Sequence, residues 1–248
     1  MSLDKTSFPD GWKVVPISDV VFFQEGPGVR RFQYTDSGVK LLNGGNINKG
    51  ILNLSTTVRY ISEDEAYGKY NHFLVEEGDL LIACSGVVVE KFDGKIAYAR
   101  KEHLPLCMNT STMRFRSLGK DTLHLDYFRW FLTTTYFKRQ LQQLITGSAQ
   151  LNFGPSHIKL MSILLPPLET QKQIAAVLEK ADQLRKDCQK MERELNGLAQ
   201  SVFIDMFGDP VTNPKGWDVG TIRDLLLSAN YGTSEKSSTD ILQYPVLR

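Results

Sequence analysis

The stretch Leu165-Pro-Pro-Leu-Glu-Thr-Gln-Lys-Gln-Ile174 divides the chain into two different kinds of sequence. Its two prolines end whatever element precedes them, because proline lacks a backbone donor and holds its predecessor in extended geometry. From Glu169 to Phe207 the sequence contains no proline and a single glycine, Gly197. It therefore predicts a helix of about 39 residues, roughly 58 Å long, which we expect to reach beyond a domain of this size.

Apolar residues recur along the predicted helix in a three-then-four rhythm. The heptad a and d positions are Ile174, Val177, Ala181, Leu184, Cys188, Met191, Leu195, Leu198 and Val202. A row this regular over roughly four heptads indicates a coiled-coil seam, which needs a partner helix to cover it.

Two short segments, one on each side of the predicted helix, carry similar sequences. Residues 9–19 read PDGWKVVPISD and residues 214–224 read PKGWDVGTIRD, with Trp217 following Trp12 by 205 residues. Residues 244–248 resemble residues 39–43 at nearly the same offset. The ordered matches indicate an internal repeat whose period is one domain plus one long helix. This predicts a first domain at residues 1–165, a spacer and dimerisation helix at 166–208, and the start of a second domain at 209–248.

Composition places the chain among ordinary globular proteins of one or two domains. Its 248 residues are 42% hydrophobic and 23% charged, and no apolar run approaches the ~18 residues of a membrane span. The N-terminus lacks a secretory signal, and Cys84, Cys107 and Cys188 have no metal-type spacing. We therefore expect a reduced cytoplasmic protein with no structural zinc and no cofactor of its own.

The region before the long helix reads as short strands separated by turns, which favours an α+β fold over alternating α/β. The predicted strands are Val39–Leu42, Val58–Ile61, Asp79–Ala83, Ile96–Arg100, a half-buried Thr110–Arg116 and Met161–Leu165, with a hairpin turn at Asp93-Gly94. The predicted helices are a short one opening at a capping box on Ser62, one from Leu123 to Ile145 ended by Gly147, and a single turn within Pro155–Leu160.

Most motifs of enzymatic catalysis are absent from the sequence. It contains no phosphate-binding or dinucleotide-binding glycine loop, and its four histidines are scattered. One pattern remains, because Asp79, Asp93 and Lys95 have the outline of a metal-dependent nuclease site. Turns explain the same aspartates, since Asp93-Gly94 is a strong turn pair and Asp79 follows a turn at Gly78. The turn interpretation is favoured, and the nuclease stays as an alternative.

Several loops carry side chains suited to contact with DNA. Arginine and lysine bind guanine edges, asparagine and glutamine bind adenine edges, and basic residues also bind phosphates. The loop candidates are Arg30, Arg31, Asn43, Asn46, Asn48, Gln150 and Asn152, and the candidates for phosphate contacts are Lys91, Lys95, Arg114, Arg116, Lys138 and Arg139. The first 165 residues carry 19 Lys+Arg against 16 Asp+Glu, which is only mildly basic for a DNA-binding domain.

Taken together, these motifs resemble the specificity subunit of type I restriction-modification enzymes. The most specific motif is Pro166-Pro-Leu-Glu-Thr-Gln-Lys-Gln-Ile174, which Gly147-Ser-Ala-Gln150, Leu41–Ile47 and Gly78–Gly86 support in family order. The resemblance implies a non-catalytic subunit with two target-recognition domains, each followed by a long helix. The two helices would pair antiparallel, and each domain would read half of a split sequence in double-stranded DNA.

The resemblance also implies partners. Modification (methyltransferase) subunits would dock on the helices, supply S-adenosylmethionine and methylate adenine, and restriction subunits would join indirectly for host defence. The present sequence holds one recognition domain, one helix and the start of a second repeat. That departure suggests a truncated subunit or a half-subunit, with a homodimer through the long helix. A subunit that competes for modification subunits without supporting restriction is a further alternative.

Overall fold

The computed structural model describes residues 8–55, 57, 59–145 and 152–229. These residues belong to two compact units, which divide between Arg185 and Lys186. The first unit is a β-rich α+β domain, as the sequence predicts. The second contains the later part of the long helix and the residues that follow it.

Four small sheets build the first unit. Its strands are β1 (Lys13–Pro16), β2 (Val21–Glu25), β3 (Val39–Leu42), β4 (Ile47–Asn48), β5 (Ile51–Leu52), β6 (Tyr60–Ile61), β7 (Leu80–Ala83), β8 (Ile96–Tyr98), β9 (Leu106–Met108), β10 (Thr112–Ser117) and β11 (Ser162–Leu165). The central sheet has the antiparallel order β2-β10-β7-β8, and a second sheet has the order β6-β3-β9 with β3 and β9 parallel. β1 pairs with β11, and β4 pairs with β5.

The helices are short except for one. They are α1 (Glu63–Tyr67), α2 (Leu125–Thr133), α3 (Thr135–Leu144), α4 (Pro155–Ile158), α5 (Leu168–Phe207) and α6 (Ile222–Leu225). The capping box at Ser62 is confirmed in part, since the Ser62 hydroxyl accepts the Glu65 backbone N–H at 3.2 Å while the Glu65 side chain accepts from Gln33 instead.

The expectation of one helix over residues 123–145 is wrong. Thr134 has extended backbone angles, so the chain turns between α2 and α3. The Thr134 hydroxyl then accepts the Phe137 backbone N–H at 3.2 Å, which caps the new helix. The predicted end of this segment at Gly147 lies outside the described residues.

Both faces of the central sheet are buried, which explains its long apolar runs. Leu80 and Ile82 point into the core beneath α2 and α3, where Phe115 packs edge-on against Phe128 at 5.2 Å between ring centroids. Leu81 lies on the opposite face, in the core shared with the β3–β9 sheet. The helices therefore cover one face of the central sheet, and the second sheet covers the other.

Two local expectations are corrected by this packing. β10 is the predicted half-buried strand, but Thr112 to Phe115 are all buried because the strand lies between β2 and β7 with both faces covered. The predicted hairpin turn at Asp93-Gly94 is part of a 3-10 helical segment, Val89–Lys95, that leads into β8. The predicted strand Val58–Ile61 is shorter in the structure, where β6 is Tyr60–Ile61 and Arg59 lies outside it.

The stretch that opens the long helix is fixed to the first unit by Gln171. This side chain is buried, and its amide nitrogen donates to the backbone carbonyls of Thr122 at 3.0 Å and Pro166 at 2.9 Å. Its amide oxygen accepts the His124 backbone N–H at 2.9 Å. Because both the amide nitrogen and the amide oxygen of Gln171 are hydrogen-bonded, this side chain holds the first turn of α5 against the start of α2.

The predicted seam of α5 is exposed along most of its length. Ile174 packs against the core of the first unit. From Val177 to Val202 the large apolar seam residues are 47–67% exposed. The heptad pattern therefore identifies residues that form an apolar stripe on the helix surface and that are not buried within the domain.

The two copies of the repeat share local structure. Gly11 and Gly216, each preceding a tryptophan, have φ of +83° and +68°, which favours glycine in both places. A helical turn begins at Ile17 in the first copy and at Ile222 in the second. Residues 244–248, which resemble residues 39–43 in sequence, lie outside the described residues.

Candidate nucleic-acid interface

Polar loops meet at one end of the central sheet, in a cluster that we name the polar loop junction and define as residues 25–26, 43–46, 84–86, 109–111 and 152–154. The Ser111 hydroxyl accepts the Gly44 backbone N–H at 2.9 Å. The Asn109 amide donates to Asn43 Oδ1 at 3.0 Å. Loops that are distant in sequence are therefore fixed side by side at this end of the sheet.

Asn152 connects a further loop to the same junction. Its amide oxygen accepts the Ser85 hydroxyl at 2.7 Å and the Gly86 backbone N–H at 2.8 Å. The next residue, Phe153, donates its backbone N–H to the Cys84 carbonyl at 2.9 Å. Asn152, Ser85 and Gly86 are exposed, so this part of the junction presents polar groups to solvent.

Glu25 is an acidic member of the junction that the sequence analysis did not single out. Its carboxylate accepts the Thr110 hydroxyl at 3.2 Å, and partial burial raises its pKa. Gly26 follows, and a Cβ there would lie 2.5 Å from the Asn109 backbone oxygen. The chain therefore passes closely beneath residues 109–110 before it continues to Arg30.

The predicted base-reading residues differ in how far their side chains are exposed to solvent. Asn46 is buried, with its amide between the Asn43 N–H and the Asn53 carbonyl, so it maintains the turn around Gly44. Asn48 is exposed beside Lys95, whose amine donates to it at 2.6 Å. Asn43 is half-buried, and Gln150 lies outside the described residues.

The predicted phosphate-binding residues divide in the same way. Arg114 is buried, and its guanidinium donates to the carbonyls of Leu74 and His72 and to Gln24, so it stabilises the domain interior and is not available to a phosphate. Arg116 is half-buried and ion-paired with Asp79 and Glu76. Lys91 and Arg139 are the exposed cations of this set, and the loop candidates Arg30 and Arg31 are exposed as well.

The residues of the nuclease alternative lie in three separate sets of contacts. Asp79 is buried against Arg116, Asp93 is paired with Lys138 at 2.6 Å, and Lys95 binds Asn48. No group of three or more metal-type ligands occurs in the part of the chain that the structure describes. These contacts favour structural roles for Asp79 and Asp93, and Lys95 pairs with Asn48 and with neither carboxylate.

Two further features of the described residues concern membrane spans and reactive thiols. Residues 8–55, 57, 59–145 and 152–229 include no helix long and apolar enough to cross a membrane. Cys84 and Cys107 are buried as free thiols, and burial raises the pKa of each to about 12. Neither thiol is therefore suited to nucleophilic chemistry at neutral pH.

A family model decides the classification of the chain. The model described as the type I restriction modification DNA specificity domain matches residues 9–195. The chain belongs to this family. The matched range includes the polar loop junction and α5 as far as residue 195.

Relatives of the specificity-domain family agree in sequence and in fold. The chain is 27% identical to the MjaVIII specificity subunit of Methanocaldococcus jannaschii over 191 residues, which are 75% of this chain and 44% of the relative. It is 22% identical to the EcoAI specificity subunit of Escherichia coli, over 74% of this chain and 30% of the relative. The chain thus spans less than half the length of these curated relatives.

A solved structure supports the fold assigned to this family member. The HsdS subunit from Thermoanaerobacter tengcongensis superposes with a TM-score of 0.57 at 20% identity, over 84% of this chain and 47% of the other. The α+β fold with a long helix is therefore that of the family. The resemblance predicted from the Pro-Pro-Leu-Glu-Thr-Gln motif is confirmed.

Three further residues near the candidate surface were missed by sequence reasoning in this specificity domain. Lys49 forms the β4–β5 turn with Gly50, and both have positive φ. Arg59 lies over the ring of Tyr34 at 5.5 Å, and Phe32 is almost fully exposed. The Lys-Gly pair was a readable turn signal, but no pattern in the sequence distinguishes an exposed phenylalanine from a buried one.

Proposed function

We propose that this chain reads DNA as a specificity subunit, or as part of one, of a type I restriction-modification system. The observation that supports this most is the polar loop junction, where loops from five parts of the chain present amides, hydroxyls and backbone donors at one end of a rigid sheet. Such groups are suited to base edges, and exposed arginines nearby are suited to phosphates.

Within that proposal, Asn43, Asn48 and Asn152 contact base edges, while Arg30, Arg31, Lys91, Lys95 and Arg139 contact the DNA backbone. The amide oxygens of Asn43 and Asn152 already accept hydrogen bonds from the protein. The Asn43 amide nitrogen also donates one N–H to the Leu41 carbonyl at 3.4 Å. The second N–H of Asn43 and the amide nitrogen of Asn152 are therefore the groups left to donate to guanine, thymine or adenine acceptors in the major groove. Lys138 acts indirectly, by holding Asp93 beside the same surface.

Catalysis in this proposal belongs to partners that act in the cytoplasm. Modification subunits dock on α5 and methylate adenine with S-adenosylmethionine, and restriction subunits join through them. A second copy of the chain covers the exposed α5 seam, giving two recognition domains and a spaced, palindromic DNA target. The regular heptad pattern and its exposure support this arrangement.

Co-expression with modification subunits, followed by mapping of methylated adenines in the host genome, tests the function. We expect methylation at one spaced sequence motif only when this chain is present. Asn152→Ala should relax the motif at one base pair, at a cost of ~1–3 kcal/mol of discrimination. Leu118→Ala, an exposed residue beyond the far end of β10, is the matched control and should leave the motif unchanged.

Other outcomes would assign a different function. Magnesium-dependent cleavage of DNA by the purified chain alone would support the nuclease and contradict a non-catalytic subunit. Binding to modification subunits with suppression of methylation by a longer specificity subunit would indicate a competitor. Methylation without any sequence motif would contradict sequence reading by this domain.

A further inference from the structure

Phe32 is the most exposed large aromatic residue of the described recognition domain, at 86%. It lies on a 3-10 turn, Arg31–Gln33, that follows directly from the polar loop junction through residues 26–30. Singly exposed apolar residues are common on proteins, and exposure alone would mean little. The surroundings of Phe32 give its exposure a more specific meaning.

The turn that carries Phe32 is fixed by hydrogen bonds of Gln33 on one side and by the buried Val29 on the other. Gln33 accepts the Arg30 backbone N–H at 2.9 Å and donates to Glu65 at 2.7 Å and to the Tyr70 hydroxyl at 3.0 Å. Val29, on the other side of the turn, is buried in the core around β3. Because both flanks are fixed, the Phe32 ring points outward from a rigid support. Binding through this ring therefore avoids the entropic cost of ordering a loop.

Exposed arginines precede the ring in the chain and lie over the neighbouring tyrosine. Arg30 and Arg31 precede it and are exposed, and Arg59 is exposed over the neighbouring Tyr34 ring. Among the described residues, no carboxylate lies within ion-pair distance of these three arginines. A partner that combines negative charge with flat apolar surface fits the exposed arginines and the exposed ring, which describes a nucleic acid better than a protein.

We infer that Phe32 inserts as a wedge at a base step of the bound duplex, with Arg30, Arg31 and Arg59 on the flanking phosphates. This inference rests on the proposed function, since it needs a domain that binds DNA. An aromatic side chain pushed between bases unstacks them and bends the duplex, which allows more of the protein surface to make contact. The base step at Phe32 would then contribute to specificity through its deformability, without hydrogen bonds to base edges.

The test uses the chain assembled with its modification subunits and short duplexes that contain the mapped target. We expect Phe32→Ala to weaken duplex binding roughly ten-fold, the scale of a lost aromatic–base stack. The slope of affinity against salt should not change, because no phosphate contact is lost. Arg31→Ala should lower that slope by about one. Phe32→Trp keeps an aromatic wedge and should bind as the wild type does.

Fluorescence of 2-aminopurine, placed in turn at positions other than the methylated adenine, locates the step. One position should brighten with the wild-type assembly and with Leu118→Ala, and stay dark with Phe32→Ala.

If Phe32→Ala binds equally well and the fluorescence pattern is unchanged, the wedge is wrong. If Phe32→Ala instead loses modification subunits while duplex binding persists, the ring contacts protein, and the inference is also overturned. Failure of the wild-type assembly to bind any duplex would remove the proposed function itself, which is a distinct result.

Discussion

At the scale of single residues, burial separates the charged side chains that maintain the fold from those that remain exposed to solvent. Asp79 is 2% exposed and accepts two hydrogen bonds from Arg116 and one from the Glu76 backbone N–H. Arg114 approaches the same carboxylate at 3.5 Å. Asp93 is half exposed and meets one lysine. In the sequence the two aspartates look alike, and only the fold distinguishes them.

Asp79→Asn should therefore destabilise the recognition domain strongly. The substitution leaves Arg114 buried without its carboxylate, and breaking a buried pair costs about 3–5 kcal/mol. Asp93→Asn is the matched control, because its pair with Lys138 is near the surface and is worth less than about 1 kcal/mol. Urea unfolding followed by circular dichroism measures both. Equal effects of the two substitutions would contradict a structural role for Asp79.

Glu25→Gln should stabilise the chain near neutral pH. The folded pKa of Glu25 lies above its ordinary value of 4.5, because burial disfavours the charged form. The folded chain then binds more protons than the unfolded chain between these two pKa values, so the wild type loses stability as pH rises through that interval. Melting curves at pH 7 should favour Glu25→Gln, and the advantage should disappear as pH falls below the interval. Glu90→Gln removes the same charge at an exposed site and is the matched control.

At the scale of elements, the sequence predicted those whose signals are local. The β3 and β11 strands, the Ser62 cap and the start of α5 after the prolines all follow from patterns within a few residues. The break at Thr134 was missed because the apolar stripe continues across it, and a threonine cap inside a helical pattern resembles an ordinary helical residue. The burial of β10 was missed because it depends on strands about 30 and 90 residues away in sequence.

The candidate site could be predicted only in part for the same reason. Polar loops were recognisable from composition, but which of them meet depends on sheet topology. Asn46 and Asn152 look equivalent in sequence, yet one is enclosed in a turn and the other is exposed beside Ser85. The sequence thus identifies the kinds of groups in the site, and the fold decides which of them face outward.

Gln171→Ala should loosen the joint between α5 and the recognition domain. It removes three hydrogen bonds and leaves the Thr122 and Pro166 carbonyls and the His124 N–H buried without this partner. We expect a loss of about 2–4 kcal/mol in the free energy of unfolding. Gln173→Ala, exposed on the same turn of the helix, should change it by less than about 0.5 kcal/mol. Indistinguishable denaturant midpoints for the two variants would show that Gln171 is not the anchor.

At the scale of the whole molecule, the exposed α5 seam leads us to expect self-association. Val177, Leu184, Met191, Leu195, Leu198 and Val202 form one apolar stripe and are each about half exposed or more. Leaving such a stripe in water is unfavourable by about 25 cal/mol per Å². The same helix from a second copy, placed antiparallel about a two-fold axis, covers it with a contact that closes on itself. Small side chains at Ala181 and Cys188 allow the two helices to approach closely.

Light scattering over a range of micromolar concentrations measures this association. The apparent mass should rise from that of one chain, 28.0 kDa, towards twice that value as concentration increases. Leu184→Glu with Leu195→Glu places charge in the seam and should hold the chain at the lower mass, because a carboxylate buried in an apolar interface is strongly disfavoured. Gln189→Glu with Gln200→Glu adds the same charge outside the seam and should leave association intact. A single-chain mass for the wild type at every concentration would rule out the homodimer, with the chain's own C-terminal residues and the modification subunits as the remaining candidates to cover the seam.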